Sequence, residues 1–133
     1  MDTSAYYHDK YVQTLRTTAI LTSAAYVVCN NVVDNSDENF NTLTLNLNFK
    51  IESATSLNWK LEFSDDNVTY GVQKLEGTSS PTTTLVDHNY NTAVGGLNTH
   101  TIKIRHKYVR VSVQGVGNMT DTDLIITSKL TNE

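Results

Sequence analysis

Several residue types in this 133-residue chain could carry chemistry if their spacing brought them together. Asp65-Asp66 and the Asp121/Asp123 pair offer carboxylates to a calcium ion, which takes six to eight oxygens from one or two loops. Neither run has the ligand spacing of an EF-hand loop, and Asp and Asn gather at turns for backbone reasons alone. The histidines are His8, His88, His100 and His106. No HxH or HExxH occurs, and on extended chain His100 and His106 lie about 20 Å apart, so a zinc centre is not expected. Ser, His and Asp are all present, but no GxSxG nucleophile elbow is found. Glu52, Glu62 and Glu76 are the carboxylates by type for a glycosidase pair. Glu62 occupies an outward position of an alternating segment, so that pair is not formed by the pattern. Cys29, the single cysteine, lies in the apolar run AAYVVC with no base beside it and reads as a buried, inert thiol. The expectation is a non-enzymatic protein with no cofactor.

Two sets remain that suit recognition. Lys103, Arg105, His106, Lys107 and Arg110 form the one cationic cluster. Arg110 alternates with Val109, Val111 and Val113, so it faces away from their core. It is expected either to pair with Glu62 on another strand or to meet an acidic partner surface. Tyr6, Tyr7 and Tyr11 crowd the first residues together with Arg16 and few aliphatics, a composition that cannot build a core of its own. Tyr and Arg are frequent interface anchors. Trp59 shares parity with Leu57, Leu61 and Phe63 and is assigned to the core rather than to a sugar platform.

The elements that position these residues are strands. Thr42 to Ile51 reads TLTLNLNFKI, apolar at every odd position and polar at every even one. Such alternation gives one greasy and one wet face. Leu57 to Ser64 repeats the pattern, and the short gap between the two runs predicts an antiparallel hairpin. Further strands are read at Ala24–Cys29 or on through Val33, and at Thr69–Leu75, Thr82–Val86, Thr99–Arg105, Lys107–Gln114 and Asp123–Leu130. Turns are read at 65–67 and 115–118, and long loops at 34–41 and 87–98. Ile102 and Ile104 are even while Val109, Val111 and Val113 are odd, so a bend near His106 must reset the parity. The count of about eight short strands predicts an all-β fold, a single jelly-roll-like antiparallel β-sandwich at 19–133. Residues 1–18 form an N-terminal arm, and helix is limited to a turn or two, placed around Tyr11 to Arg16.

Composition bounds the partners. A net charge of −4 and pI of about 5.5 argue against a nucleic-acid surface. The run from Ala19 to Val33 is too short and too polar to span a bilayer as a helix, so no membrane partner is expected. The first residues lack the pattern of a secretory leader, which predicts synthesis in the cytoplasm without Sec export.

Two segments carry a resemblance. Leu57-Asn58-Trp59-Lys60-Leu61-Glu62-Phe63-Ser64-Asp65-Asp66-Asn67-Val68-Thr69-Tyr70 followed by Lys107-Tyr108-Val109-Arg110-Val111-Ser112-Val113 resembles β-sandwich proteins of tailed-bacteriophage virions. The same pattern is similar to discoidin-like and carbohydrate-binding jelly rolls, in which an S-D-G-x-x-W turn precedes an RYVR strand. This chain has Asn67 where many of those proteins carry glycine, and Tyr70 where they often carry tryptophan. The resemblance, with the tyrosine-bearing arm, implies a head decoration or cement protein that binds and stabilises an assembled shell. Its expected partner is the major capsid protein or another virion protein, and a homo-oligomer, a trimer by analogy, is expected. The alternatives are a glycan-binding adhesion module of a tail or baseplate, and a small tail or neck component. The expected contact residues are Tyr6, Tyr7, Tyr11 and Arg16 in the arm, and Arg105, Lys107 and Arg110 at the basic strand end.

Overall fold

A computed structural model describes residues 12–17, 21–37, 40–71, 73–76, 83–86, 88–118 and 122–132, with 73–76 and 83–86 described as backbone. The strands are β1 (Val12–Arg16), β2 (Val27–Val28), β3 (Val33–Asp34), β4 (Thr42–Lys50), β5 (Ala54–Ser64), β6 (Gln73–Glu76), β7 (Thr83–Val86), β8 (Asn89–Thr92), β9 (Gly96–Lys103), β10 (Tyr108–Gly117) and β11 (Asp123–Thr131). One sheet runs β1-β11-β4-β9. The other runs β2-β10-β5-β8, with β3 also on β10, and β6-β7 is a separate ribbon. All pairs are antiparallel. Among the described residues no helix is long and apolar enough to cross a membrane.

If β2 and β3 are counted as one broken strand and the β6-β7 ribbon is set aside, eight strands remain. Their order in the two sheets is that of a jelly roll, as the alternation predicts. The chain changes sheet at every connection between them except β5 to β8. The core lies between the sheets and is built by period two. β4 contributes Leu43, Leu45, Leu47 and Phe49, and β5 contributes Leu57, Trp59, Leu61 and Phe63. β10 adds Val109, Val111 and Val113, and β11 adds Leu124, Ile126 and Leu130.

Several sequence readings are corrected. β4 and β5 do not form a hairpin: they lie in opposite sheets, and residues 51–53 arch over the end of the core. Glu52 takes a left-handed φ of 40° there, and the Ala54 N–H donates to the Ile51 carbonyl at 2.7 Å. Alternation could not tell the two cases apart, because in either one the apolar face looks inward. The strand read at Ala24–Cys29 is instead the two short segments β2 and β3. The strand read at Thr69–Leu75 is β6, further along, and the long loop at 87–98 contains β8 and the start of β9. The turn read at 115–118 is the end of β10, where Gly117 (φ 93°) follows a register shift after Val116. The parity reset near His106 is present: β9 ends at Lys103 in one sheet and β10 starts at Tyr108 in the other.

The boundary of the arm also moves. Val12–Arg16 is an extended edge strand paired with β11, not a turn of helix. Leu15 is fully buried in the sandwich core. Tyr6, Tyr7 and Tyr11 lie outside the described residues.

Candidate functional site

The two segments that carried the resemblance meet in space. β10 pairs with β5 from Tyr108 opposite Ser64 onward, so the 64–70 turn sits beside the start of β10. Asp66 organises that turn. Its Oδ1 accepts the N–H groups of Thr69 at 2.8 Å and Val68 at 2.9 Å and the Ser64 hydroxyl at 2.8 Å. Those donors, Thr69 first, hold its carboxyl below the usual aspartate range. Asn67 takes a φ of 59°, a left-handed conformation that Gly and Asn tolerate best. Asp65 ties the turn to the next connection, accepting the Lys107 N–H at 3.2 Å and facing His106 Nδ1 at 3.4 Å. The acidic pair thus serves the turn. Among the described residues no three potential ligands cluster as a metal site, and Asp121 lies outside them.

Arg110 stands on the outer face of β10. Its Nε donates to Glu62 Oε1 at 3.1 Å, the pairing the sequence suggested. Its guanidinium also lies 4.3 Å from the centroid of the Tyr70 ring. Burial pushes the Tyr70 phenol up, and Arg110 partly opposes this. Further along the same face, Lys60 Nζ lies 4.6 Å from the Tyr26 ring. Arg105 and Lys107 are exposed in the β9–β10 connection and line a small depression with Asp65 and His106.

Arg16 lies elsewhere. It stands on β1, an edge of the β1-β11-β4-β9 sheet, whereas Arg110 stands on β10 in the other sheet and Arg105 and Lys107 follow β9 at the opposite edge; the remaining arm candidates, Tyr6, Tyr7 and Tyr11, lie outside the described residues. The Arg16 guanidinium donates to the Leu124 carbonyl of β11. Burial lowers its pKa, while the neighbouring Cys29 and Asp123 work the other way. It therefore anchors β1 to the sheet. Around it, Arg16, Leu21, Val27, Val28, Cys29 and Val113 line a groove of about 220 Å³ between the β1 and β2 edges. Tyr26, Val27 and Val28 are exposed on this side, and Val12 at the other end of β1.

The sequence did not reveal one cluster. Trp59 is buried as expected, and its ring stacks on Tyr90 at 4.3 Å and meets His100 edge-on at 4.9 Å. Its Nε1 donates to Thr92 Oγ1 at 3.2 Å, and His88 Nδ1 lies 2.7 Å from the Tyr90 hydroxyl. These contacts explain why the short polar run Asn89–Thr92 is a strand: Tyr90 and Thr92 complete the shell of the buried indole. The even parity shared by His100, Ile102 and Ile104 was the available signal.

An open cleft of about 680 Å³ occupies one end of the sandwich, lined by Asn48, Lys50, Glu52, Gly95, Asp123 and Ile125 among others. It is shallow and holds no nucleophile–base pair. The fold and these surfaces define an antiparallel jelly-roll β-sandwich in which Arg16, Glu62, Asp65, Asp66 and Arg110 are engaged by the protein's own strands and turns. A scan against protein-family models and a search of the curated proteins gave no match.

Proposed function

We propose that this chain is a non-enzymatic structural component of a virion, a decoration or cement protein that binds an assembled capsid through the β1/β2 side of the sandwich. The observation that carries the reading is the exposed apolar set Tyr26, Val27 and Val28 beside the groove at Arg16 and Val28, with Val12 exposed at the other end of β1. The tyrosine-rich residues 1–11 directly precede β1 in the sequence. An apolar patch with a tyrosine-bearing extension suits a protein surface better than a small solute. The phage resemblance of the 57–70 and 107–113 segments gives the partner class, a major capsid protein or another virion protein. Binding only to the assembled shell stabilises that shell by linkage, and many weak copies add through multivalency.

The test is co-sedimentation of the native protein with particles on a density gradient. Travel with fast particles at a copy number near that of the shell subunit supports the proposal. A few copies per particle would make it a tail or neck part, and recovery as a small free species overturns it. Removing residues 1–11 should abolish docking while leaving the sandwich folded.

A glycan-binding adhesion module is the second reading, favoured by the Tyr26 and Tyr70 rings on the outer face of the β2-β10-β5-β8 sheet. Each ring already carries a cation against it, Lys60 and Arg110 respectively. Saturable glycan binding that is lost in Tyr26→Ala would favour it.

A further inference from the structure

The edges of the two sheets are not alike. β1 has five residues and a register shift between Thr14 and Arg16. β2 and β3 have two residues each, and β8 has four. Short or bulged edges discourage pairing with another chain. β9 differs: it has eight residues, contains no proline, and pairs with β4 in unbroken register from Gly96 to Lys103.

The direction of its free backbone groups follows from one hydrogen bond. The Ile104 N–H donates to the Asn41 carbonyl at 2.9 Å, and these residues continue the β9–β4 register. In an antiparallel ladder such pairs recur every second residue. Asn98, His100 and Ile102 therefore spend their N–H and C=O groups on β4, and those of Leu97, Thr99 and Thr101 point away from the sheet. Among the described residues no side chain screens that edge. Thr99 Oγ1 donates to Asn46 Oδ1 at 2.9 Å, Thr101 Oγ1 lies 3.2 Å from Thr44 Oγ1, and Lys103 Nζ donates to Thr42 Oγ1 at 3.1 Å. All three lean back over β4. Leu97, at the start of the row, is 70% exposed.

We infer that β9 is a self-association edge, occupied by β9 of a second copy in an antiparallel pair about a twofold axis at Thr99. The occupant is chosen by self-complementarity. In this register the outward-pointing backbone groups of Leu97, Thr99 and Thr101 meet those of Thr101, Thr99 and Leu97 of the second copy, donor to acceptor throughout. Leu97 lies across from threonine, and threonine pairs with threonine at the axis, a favourable cross-strand combination. The only charged side chain of the strand, Lys103, lies across from Gly95 and meets no like charge. A twofold pair consumes both edges and is closed, which removes the hazard of open-ended growth. The two four-stranded sheets become one continuous sheet. This arrangement does not depend on the capsid reading, and its symmetry differs from the trimer expected by analogy.

Sedimentation equilibrium of the full chain tests the inference together with two variants. Thr99→Lys places like charges face to face on the axis, and Thr99→Glu does the same with the opposite sign. The expected result is a dimer for the parent chain, a monomer for each variant alone, and a one-to-one heterodimer when the two are mixed. Hydrogen exchange supplies an independent readout. In the parent chain the Leu97, Thr99 and Thr101 amides should be protected, and in either variant alone they should exchange rapidly while Asn98, His100 and Ile102 stay protected. A monomeric parent chain overturns the inference. So does an oligomer of any size that is indifferent to both variants, or fast exchange at the three odd-numbered amides in the parent.

Discussion

Cys29 lies against β10, its N–H bonded to the Val111 carbonyl at 2.8 Å, and burial pushes its thiol up to about 11 with Arg16 partly opposing. The nucleophilic form is the thiolate, which at pH 8 is then only about one part in a thousand. Native protein should therefore resist a thiol reagent such as Ellman's at pH 8 and react at once in denaturant; a stoichiometric release of colour from folded protein would contradict this. Asp66 behaves in the opposite sense. Its folded pKa is depressed by the Thr69 and Val68 amides, so its contribution to the turn is fully present above the unfolded value of about 4 and is lost as pH falls through the folded value. The Val68 and Thr69 amide proton shifts should titrate together with a midpoint below about 3.9, the ordinary aspartate value. Both residues were legible from the chain, Cys29 from its apolar neighbours and Asp65-Asp66 as turn formers. Which donors each carboxylate receives was not, because those contacts depend on how Ser64 and Lys107 are brought together by β5 and β10.

At the scale of elements, period two was readable wherever a strand had four or more alternating positions. It assigned the inner residues of β4, β5, β10 and β11, and the clash between Ile104 and Val109 located the crossing between sheets. Pairing was not readable. An inward-facing strand looks the same whether its successor lies beside it or across the core, and for β4 and β5 the answer is across. β8 was missed because Asn89–Thr92 has only two inward positions, and those are defined by Trp59, a partner distant in sequence. Gly117 was read as a turn residue because glycine commonly marks turns, whereas here it ends β10 with a bulge. A Cβ at Gly117 would lie 2.7 Å from Thr55 Oγ1 and 3.0 Å from the Thr55 backbone nitrogen, at a φ of 93°. Gly117→Ala should therefore lose about 1–3 kcal/mol, from strain and from displacement of the facing strand. Urea unfolding would measure it, and an unchanged midpoint would show that the bulge tolerates a side chain.

For the whole molecule, the first and last strands of the sandwich are neighbours. β1 pairs with β11 and buries Leu15, so a cut made before Val12 and a cut made after Thr17 have different effects. Removing residues 1–11 should leave the urea midpoint nearly unchanged. Removing residues 1–17 should lower stability by at least the about 2–5 kcal/mol typical of emptying a buried leucine site. Equal midpoints for the two truncations would mean that β1 contributes little to the fold. The composition of residues 1–18 concealed this boundary, because three tyrosines outweigh one buried leucine in any average over the segment.

The same sheet order bears on how the protein is made. β4, which sets Leu43, Leu45, Leu47 and Phe49 into the core, is flanked by β9 and β11, both of which leave the ribosome after it. At ordinary elongation rates it waits on the order of several seconds for β11. Until β9 emerges, its Leu43–Phe49 face has β5 across the core but no lateral partner, and the β11 side stays open longer still. The nascent chain thus passes through a stage at which a holdase chaperone would find an accessible apolar strand. The sandwich can close only once residues 123–131 have emerged.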